Sequence, residues 1–243
     1  MQSTLGFKSF FDCFNLPTVD SNPYIDIKET SFIKKELFNF AIILLFCAQH
    51  MFFARSWFKD LMIKISPSYV FFERALFNFL SSVFLFSGMF FHQPTETILL
   101  NFSSKYTDFV MILLLFLHLL IDLWAFYDMK DADLGGFFLI KLFEENKGAH
   151  FPIQFKQKPP SLLSKLMRHP IYYCSLSHLW LGTTKITLSR LVWNTILTIF
   201  VLCGTYFEER EIIKKYPSYL EYIKQVPNKY FPDLKILFKQ KNN

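Results

Sequence analysis

Two polar clusters in the last third of the chain hold the side chains best suited to binding and chemistry. Residues 168–172 read Arg-His-Pro-Ile-Tyr, and residues 208–210 read Glu-Glu-Arg. Apolar, membrane-like sequence with one break separates them. A charge at a hydrocarbon boundary costs free energy unless it is paired or faces water. We therefore interpret the two clusters as the ends of one helical hairpin, where they form a single site.

The composition is typical of a membrane protein. Of the 243 residues, 52% are hydrophobic, the mean hydropathy is +0.25 and only 7 residues are glycine. These values fit several membrane spans joined by charged loops. The formal charge is +6, but the basic residues flank apolar runs, so we assign them to a membrane surface and expect no nucleic-acid binding. The four widely spaced cysteines indicate neither a disulfide framework nor a zinc site.

Apolar runs near the length needed to cross a hydrocarbon core, about 20 residues, define the elements that must position the clusters. They cover residues 37–54, 70–91, 109–126 and 188–207. Residues 171–181 are too short to span alone, and we expect them to form a hairpin with the last run. Proline fits the first turn of a helix, so Pro170 marks the start of this short arm. The predicted fold is all-α, a multi-pass transmembrane helical bundle of about five spans with a C-terminal helical hairpin and a cytosolic cap.

The distribution of Lys and Arg predicts which helix ends lie on one side. Residues 55–74, 127–170 and 208–243 contain 4, 7 and 8 of them, whereas residues 92–108 and 182–190 contain 1 and 2. Because cytoplasmic loops carry an excess of positive charge, the three basic segments are predicted to be cytosolic. The predicted divisions are an extramembrane or interfacial segment at 1–36, three transmembrane helices at 37–126, a cytosolic loop with an interfacial helix at 127–167, the hairpin and tail at 168–232, and a basic tail at 233–243.

Several motifs in a fixed order carry a resemblance to a known family. The two clusters are followed by a Tyr-x-x-Tyr-x-x-x-Val-Pro tail at 219–227, and they are preceded by Gln49-His50 and by Phe-Glu-Arg at 72–74. Together these pieces resemble the isoprenylcysteine carboxyl methyltransferase superfamily of membrane proteins. The spacing is nearest to the branch that holds nurim and the bacterial methanethiol S-methyltransferases. The resemblance covers roughly residues 36 to 232.

The resemblance implies a site for S-adenosylmethionine and no metal. Methyl transfer from a sulfonium is a direct displacement, so the protein needs to hold donor and nucleophile in line and to shape the field around a cation that is being neutralised. Carboxylates, a basic group, hydrogen-bonding side chains and an aromatic wall complement such a donor. The implied cofactor-binding residues are Arg168, His169, Tyr172, Glu208, Glu209, Tyr219 and Tyr222. An aspartate at 133 followed by Leu-Gly is a loose match to the element that covers the cofactor in relatives.

Three polar residues inside apolar runs are further candidates. His118 and Asp122 are four residues apart and so share a helix face, and His50 lies in the first span. Polar groups at membrane depth are expensive and should find partners inside the bundle. We favour a structural hydrogen bond from Gln49 or His50 to Asp122 or Glu73. The alternative is that an aspartate beside a histidine deprotonates a thiol or alcohol nucleophile.

Two classes of function follow from the resemblance. One is a nurim-like, multi-pass protein of the inner nuclear membrane and endoplasmic reticulum, built on the methyltransferase scaffold without a requirement for catalysis. The other is an active methyltransferase acting on a small or lipophilic thiol or on a prenylcysteine-type carboxylate, which the presence of both Glu208 and Glu209 favours. In either case the lipid bilayer is a partner. A transporter is weaker, because five spans give no inverted repeat.

Overall fold

A computed structural model of the protein describes residues 31–93, 97–128, 140, 162–181 and 184–233. The predictions made for residues 1–30, for the Asp-Leu-Gly element at 133–135, for an interfacial helix in the loop and for the basic tail beyond 233 lie outside these residues. In chain order the elements are α1 (Phe32–Ala54), α2 (Ser56–Ile65), α3 (Tyr69–Phe91), β1 (Ile98–Asn101), α4 (Lys105–Asp128), α5 (Leu162–Leu166), α6 (Pro170–Leu181), β2 (Lys185–Thr187), α7 (Leu188–Lys215) and α8 (Tyr219–Gln225).

The four predicted long apolar runs form long helices. Among the described helices, α1, α3, α4 and α7 are long and apolar enough to cross a membrane. With a rise of about 1.5 Å per residue, a 23-residue helix such as α1 is longer than the hydrocarbon core, which is about 30 Å thick. The fifth predicted segment is α6, which has 12 residues and begins at Pro170 as expected. The protein is therefore an integral membrane bundle in which one arm of the C-terminal hairpin is short.

Two packing interfaces hold the bundle together. In the first, α1 and α7 bury Ile43, Phe46, Cys47, Trp193 and Leu197 in one cluster, and residues of α3 pack against it. Gly88 allows this approach, because a Cβ there would lie 3.0 Å from the Trp193 ring. In the second interface α4 faces α5 and α6, where Ala125, Leu163 and Met167 are buried together.

The end of the bundle remote from the polar clusters is closed by hydrogen bonds. Strands β1 and β2 pair antiparallel, with Ile98 opposite Thr187 and Asn101 opposite Lys185. Asn39 on α1 exchanges two hydrogen bonds with the backbone of Gln93, at 2.8 and 2.7 Å. Buried polar groups of this kind are stable because both partners are satisfied.

At the opposite end of the bundle lie the helix ends that the distribution of Lys and Arg predicts to be on one side. Lys59 Nζ lies 2.7 Å from Glu73 Oε1, which joins α2 to α3. Arg55 Nη1 lies 3.6 Å from Glu211 Oε1, which joins the end of α1 to the end of α7. The predicted grouping of residues 55–74 with 208–211 is therefore confirmed, and the side of the membrane on which they lie stays a prediction.

Helix α2 was not predicted from the sequence. Trp57, Leu61 and Ile65 recur at every fourth residue and are exposed, whereas Phe58 and Met62 are half-buried against the bundle. Its ten residues are too few to register as a span. The amphipathic pattern and the position next to the ends of α1 and α3 are typical of a helix that lies along a membrane surface.

Candidate functional site

The candidate site is built around the carboxylate of Glu209. Helix α7 continues for two turns beyond the predicted apolar run, so Glu208 and Glu209 lie on the helix itself. Glu209 Oε1 accepts hydrogen bonds from Arg168 Nε at 2.8 Å and from His169 Nε2 at 3.0 Å. Its second oxygen, Oε2, lies 3.0 Å from Lys229 Nζ. The predicted convergence of the two clusters is therefore confirmed by direct contacts.

The tail after α8 is tied to the same cluster through its backbone. Arg168 Nη1 donates to the carbonyl oxygens of Val226 and Pro227, each at 2.7 Å. The backbone N–H groups of Arg168 and His169 donate to the carbonyls of Asn228 and Lys229, each at 3.0 Å. A guanidinium with several donors in a fixed geometry suits this role, because it can bond a carboxylate and two carbonyls at once. Arg168 thus fixes the tail over the start of the hairpin.

Burial sets the protonation of His169. Its side chain is 7% exposed, and this burial lowers its pKa from the ordinary 6.5, although the carboxylates of Glu209 and Glu208 oppose the change. The imidazole is therefore neutral at neutral pH, with its Nε2 proton directed at Glu209. The ring also lies against Tyr172, with centroids 5.4 Å apart, and against Tyr230, at 6.2 Å.

Glu208 has a different environment from Glu209. Its Oε2 accepts a hydrogen bond from the Tyr172 hydroxyl at 2.8 Å, and its side chain is exposed. Among the described residues no cation contacts this carboxylate or neutralises its negative charge. Tyr172 and Glu208 form a polar pair beside the buried ion cluster, because the Tyr172 ring also contacts the His169 ring.

The two tail tyrosines differ in the hydrogen bonding of their hydroxyl groups. The hydroxyl of Tyr222 donates to the carbonyl of Ser164 at 2.6 Å, which ties α8 to α5. The Tyr219 ring contacts the Tyr222 ring, with centroids 5.4 Å apart, and its hydroxyl has no hydrogen bond to a described residue. Burial raises the pKa of both phenols, so both remain protonated hydrogen-bond donors. Arg210 points outward, where it bonds the Tyr206 hydroxyl at 3.3 Å.

The three other candidates lie away from this cluster. His50 Nδ1 bonds Ser81 Oγ at 3.0 Å. His118 Nε2 bonds the Tyr173 hydroxyl at 3.0 Å, and Asp122 Oδ2 lies 3.4 Å from His178 Nδ1. His118 and Asp122 both face α6, which confirms that they share a helix face.

The predicted hydrogen bond from Gln49 or His50 to Asp122 or Glu73 is wrong. Helix α4 packs against α6, so Asp122 is directed away from α1, and Glu73 pairs with Lys59. Gln49 is 9% exposed, and neither atom of its amide has a hydrogen-bond partner in the described part of the chain. Within those residues no group of three or more His, Cys, Asp or Glu could hold a metal ion.

Several residues of the site lie outside the sequence motifs and were not predicted. Lys229 and Tyr230 come two and three residues after the Val-Pro of the tail motif, and Tyr230 bonds the buried hydroxyl of Thr205 on α7. Because a basic and an aromatic residue lie so close to the motif, Lys229 and Tyr230 could have been predicted as part of the site. Nothing in the spacing indicates Thr205, which is buried by contacts distant in sequence.

The chain is similar to several methanethiol S-methyltransferases. It is 29% identical to one from Pseudomonas deceptionensis over 206 residues, 83% of this chain and 74% of that protein. It is 26% identical to one from Crocosphaera subtropica over 200 residues, 82% of this chain and 76% of that protein. No protein-family model matches the chain. No solved structure matches it either. The similarity supports a membrane protein of methyltransferase-like function.

Proposed function

We propose that the protein transfers a methyl group from S-adenosylmethionine to a small thiol at the site formed by residues 168–172, Glu208 and the tail. The observation that carries this proposal is that two adjacent carboxylates have different partners. Glu209 is held by Arg168, His169 and Lys229, whereas Glu208 is exposed and paired only with a neutral phenol among the described residues. The names of the relatives, methanethiol S-methyltransferases, support the reaction and the acceptor class.

The side chains of the site fit the methyl donor by charge. S-adenosylmethionine supplies a methyl group on a positively charged sulfur, and it also has an ammonium, a carboxylate, a ribose and an adenine. An unneutralised carboxylate at Glu208 suits a ligand of net positive charge.

The remaining residues have positioning roles in this proposal. The ion pair of Arg168 and Glu209 connects the hairpin to the tail and so fixes the relative positions of the residues in the site. Tyr172 orients the Glu208 carboxylate through its 2.8 Å hydrogen bond. Tyr222 anchors α8, which leaves the hydroxyl of Tyr219 for a ligand. The Tyr172 ring and the neutral ring of His169 form an aromatic wall.

Calorimetry with S-adenosylmethionine on the detergent-purified protein tests the proposal, together with thioether formation from methanethiol. Glu208→Gln removes one charged hydrogen-bond acceptor, which contributes about 1.5 to 3 kcal/mol, so we expect binding to weaken at least about tenfold. Glu221→Gln is the matched control, because Glu221 lies on α8 with 68% of its side chain exposed and pairs only with Lys224 among the described residues. We expect it to bind like the wild type.

Two results would contradict the proposal at different levels. A folded wild-type protein that binds no S-adenosylmethionine would exclude the methyltransferase function. Wild-type binding with unchanged affinity in Glu208→Gln would keep the function and reject the assigned site.

The nurim-like function, with residence in the nuclear envelope and endoplasmic reticulum, stays a prediction that rests on the resemblance. The exposed Glu208 and the contacts of Glu209 favour a methyltransferase over a purely structural protein. Imaging of a tagged protein tests the location separately: a uniform plasma-membrane signal without a nuclear rim would contradict it, whatever the activity.

A further inference from the structure

The inner face of α7 has a gap at Gly204. Trp193, Leu197 and Phe200 recur on this face at helical spacing, and they pack against α1 and α3. Gly204 follows Phe200 by four residues and continues the same face. Where Gly88 on α3 is in tight contact, no described atom lies within 4 Å of a Cβ built on Gly204. In the described part of the chain, this face of α7 therefore has open space between the level of Phe200 and the level of Glu208.

An imidazole lies against Phe200, one helical turn before Gly204. The His50 ring is surrounded by Phe46, Phe77 and Phe200, with centroid distances of 5.7, 4.5 and 5.3 Å. Its Nδ1 bonds Ser81 Oγ at 3.0 Å. When Nδ1–H donates to that hydroxyl, Nε2 carries a lone pair, and it has no partner among the described residues.

The depth of His50 relative to the candidate site follows from the helix. Phe200 and Glu208 are eight residues apart on α7, which is about 12 Å along the axis, and Gly204 lies midway. The buried amide of Gln49, unpartnered among the described residues, is in the same turn of α1 as His50. The gap is thus placed between an imidazole at one end and the Glu208–Tyr172 pair at the other.

We propose that this gap is the acceptor pocket, where a short alkyl thiol binds beside Gly204 and His50 accepts its proton. The proposal rests on the proposed methyl transfer and adds the location of the acceptor, its chemical class and the base. The thiol proton moves to His50 Nε2, and the thiol sulfur forms a bond to the methyl carbon of the sulfonium donor. The bond from that carbon to the donor sulfur breaks and leaves its electron pair on the donor, now a neutral thioether.

The walls of the gap favour an uncharged acceptor. In the described part of the chain the His50 ring contacts phenylalanines and a serine, and Arg55 at the next level is paired with Glu211 and stacked on the Phe207 ring. A short alkyl thiol matches aromatic walls. A prenylcysteine carboxylate would need a cation that is not already paired.

Filling the gap tests its location. Gly204→Leu should reduce methylation of methanethiol at least about tenfold while calorimetric binding of S-adenosylmethionine stays close to that of the wild type. Cys203→Leu is the matched control, because Cys203 is the adjacent residue of α7 and is exposed, so the leucine adds its bulk outside the gap, and it should retain activity. Full activity in Gly204→Leu would overturn the pocket, whereas loss of donor binding in the wild type would overturn the proposed function instead.

The acidity of the acceptor tests the role of His50. Removing a general base costs about a hundredfold or more in rate, but an arenethiol that is already ionised at the assay pH needs no base. We expect His50→Asn to lose about that factor with an alkanethiol and less than about tenfold with the arenethiol. Equal losses with both thiols would show that His50 only supports the structure and would overturn its role as the base.

Cysteine labelling tests the gap without any dependence on activity. In a background where the four native cysteines are replaced by serine, Gly204→Cys and Leu197→Cys place a thiol in the gap and in the packed cluster of the same face. A small alkyl thiosulfonate, followed by mass spectrometry, should modify the first much faster than the second, and dimethyl sulfide should slow it. Equal modification rates would mean that no accessible space exists at Gly204, and the pocket would be rejected.

Discussion

Replacement of Glu209 by glutamine isolates the charge that joins the hairpin to the tail. Glutamine keeps the shape and one acceptor oxygen, but Arg168 and Lys229 lose their shared counter-charge. Their side chains are 8% and 23% exposed, and Glu209 itself is 12% exposed. Breaking a buried pair by removing one partner costs about 3 to 5 kcal/mol. Because Lys229 is partly hydrated, we expect the lower end, about 3 kcal/mol.

That free energy converts into a measurable change of melting temperature. For chains of this size, 1 kcal/mol corresponds to about 2 to 4 °C, so Glu209→Gln should lower the apparent Tm in detergent by roughly 6 to 12 °C. Glu221→Gln, in an exposed pair, should lower it by about 2 °C or less. The double variant Arg168→Gln with Glu209→Gln should lose less than the sum of the single changes, because the groups interact. A Glu209→Gln protein that melts within about 2 °C of the wild type would refute the reasoning.

Two further predictions concern other buried polar groups. Because burial lowers the pKa of His169, the unfolded chain binds a proton at this residue more readily than the folded protein, so stability falls as the pH drops below 6.5. The slope of Tm against pH between 7 and 5.5 should therefore be smaller in His169→Asn than in the wild type. An unchanged slope would contradict this assignment. Gln49→Met should raise the apparent Tm, because it removes a buried amide that has no partner in the described chain. Asn39→Leu should lower the apparent Tm, because it breaks two hydrogen bonds to Gln93. A lower Tm in Gln49→Met would show that the amide is satisfied.

The long helices could be predicted because hydrophobic length is a local property. Each apolar run became a helix, and Pro170 opens α6 as its chemistry requires. Helix α2 and the pairing of β1 with β2 were missed for a physical reason. Both are short, and they are stabilised by neighbours brought close by the fold rather than by their own sequence.

Partners inside the bundle could not be read from the sequence, because they depend on which helices are adjacent. Asp122 was expected to meet α1, yet α4 packs on α6 and gives it His178. The convergence of Arg168 and His169 with Glu209 could be predicted, since charges at a hydrocarbon boundary must be paired and the hairpin limits where a partner can be. Lys229 completes the cluster from a segment with no motif of its own.

The adjacent glutamates show what spacing alone leaves open. In sequence they form one acidic pair, but consecutive residues on an α-helix point about 100° apart, so their carboxylates bond different partners. Glu209 is directed at α6 and the tail, where two cations and an imidazole surround it. Glu208 is exposed, with a phenol beside it. Exchange of their roles would require a rotation of α7 that the buried Thr205 and Trp193 oppose. The pair is therefore one structural carboxylate and one carboxylate available to a ligand, and the two substitutions should separate stability from binding.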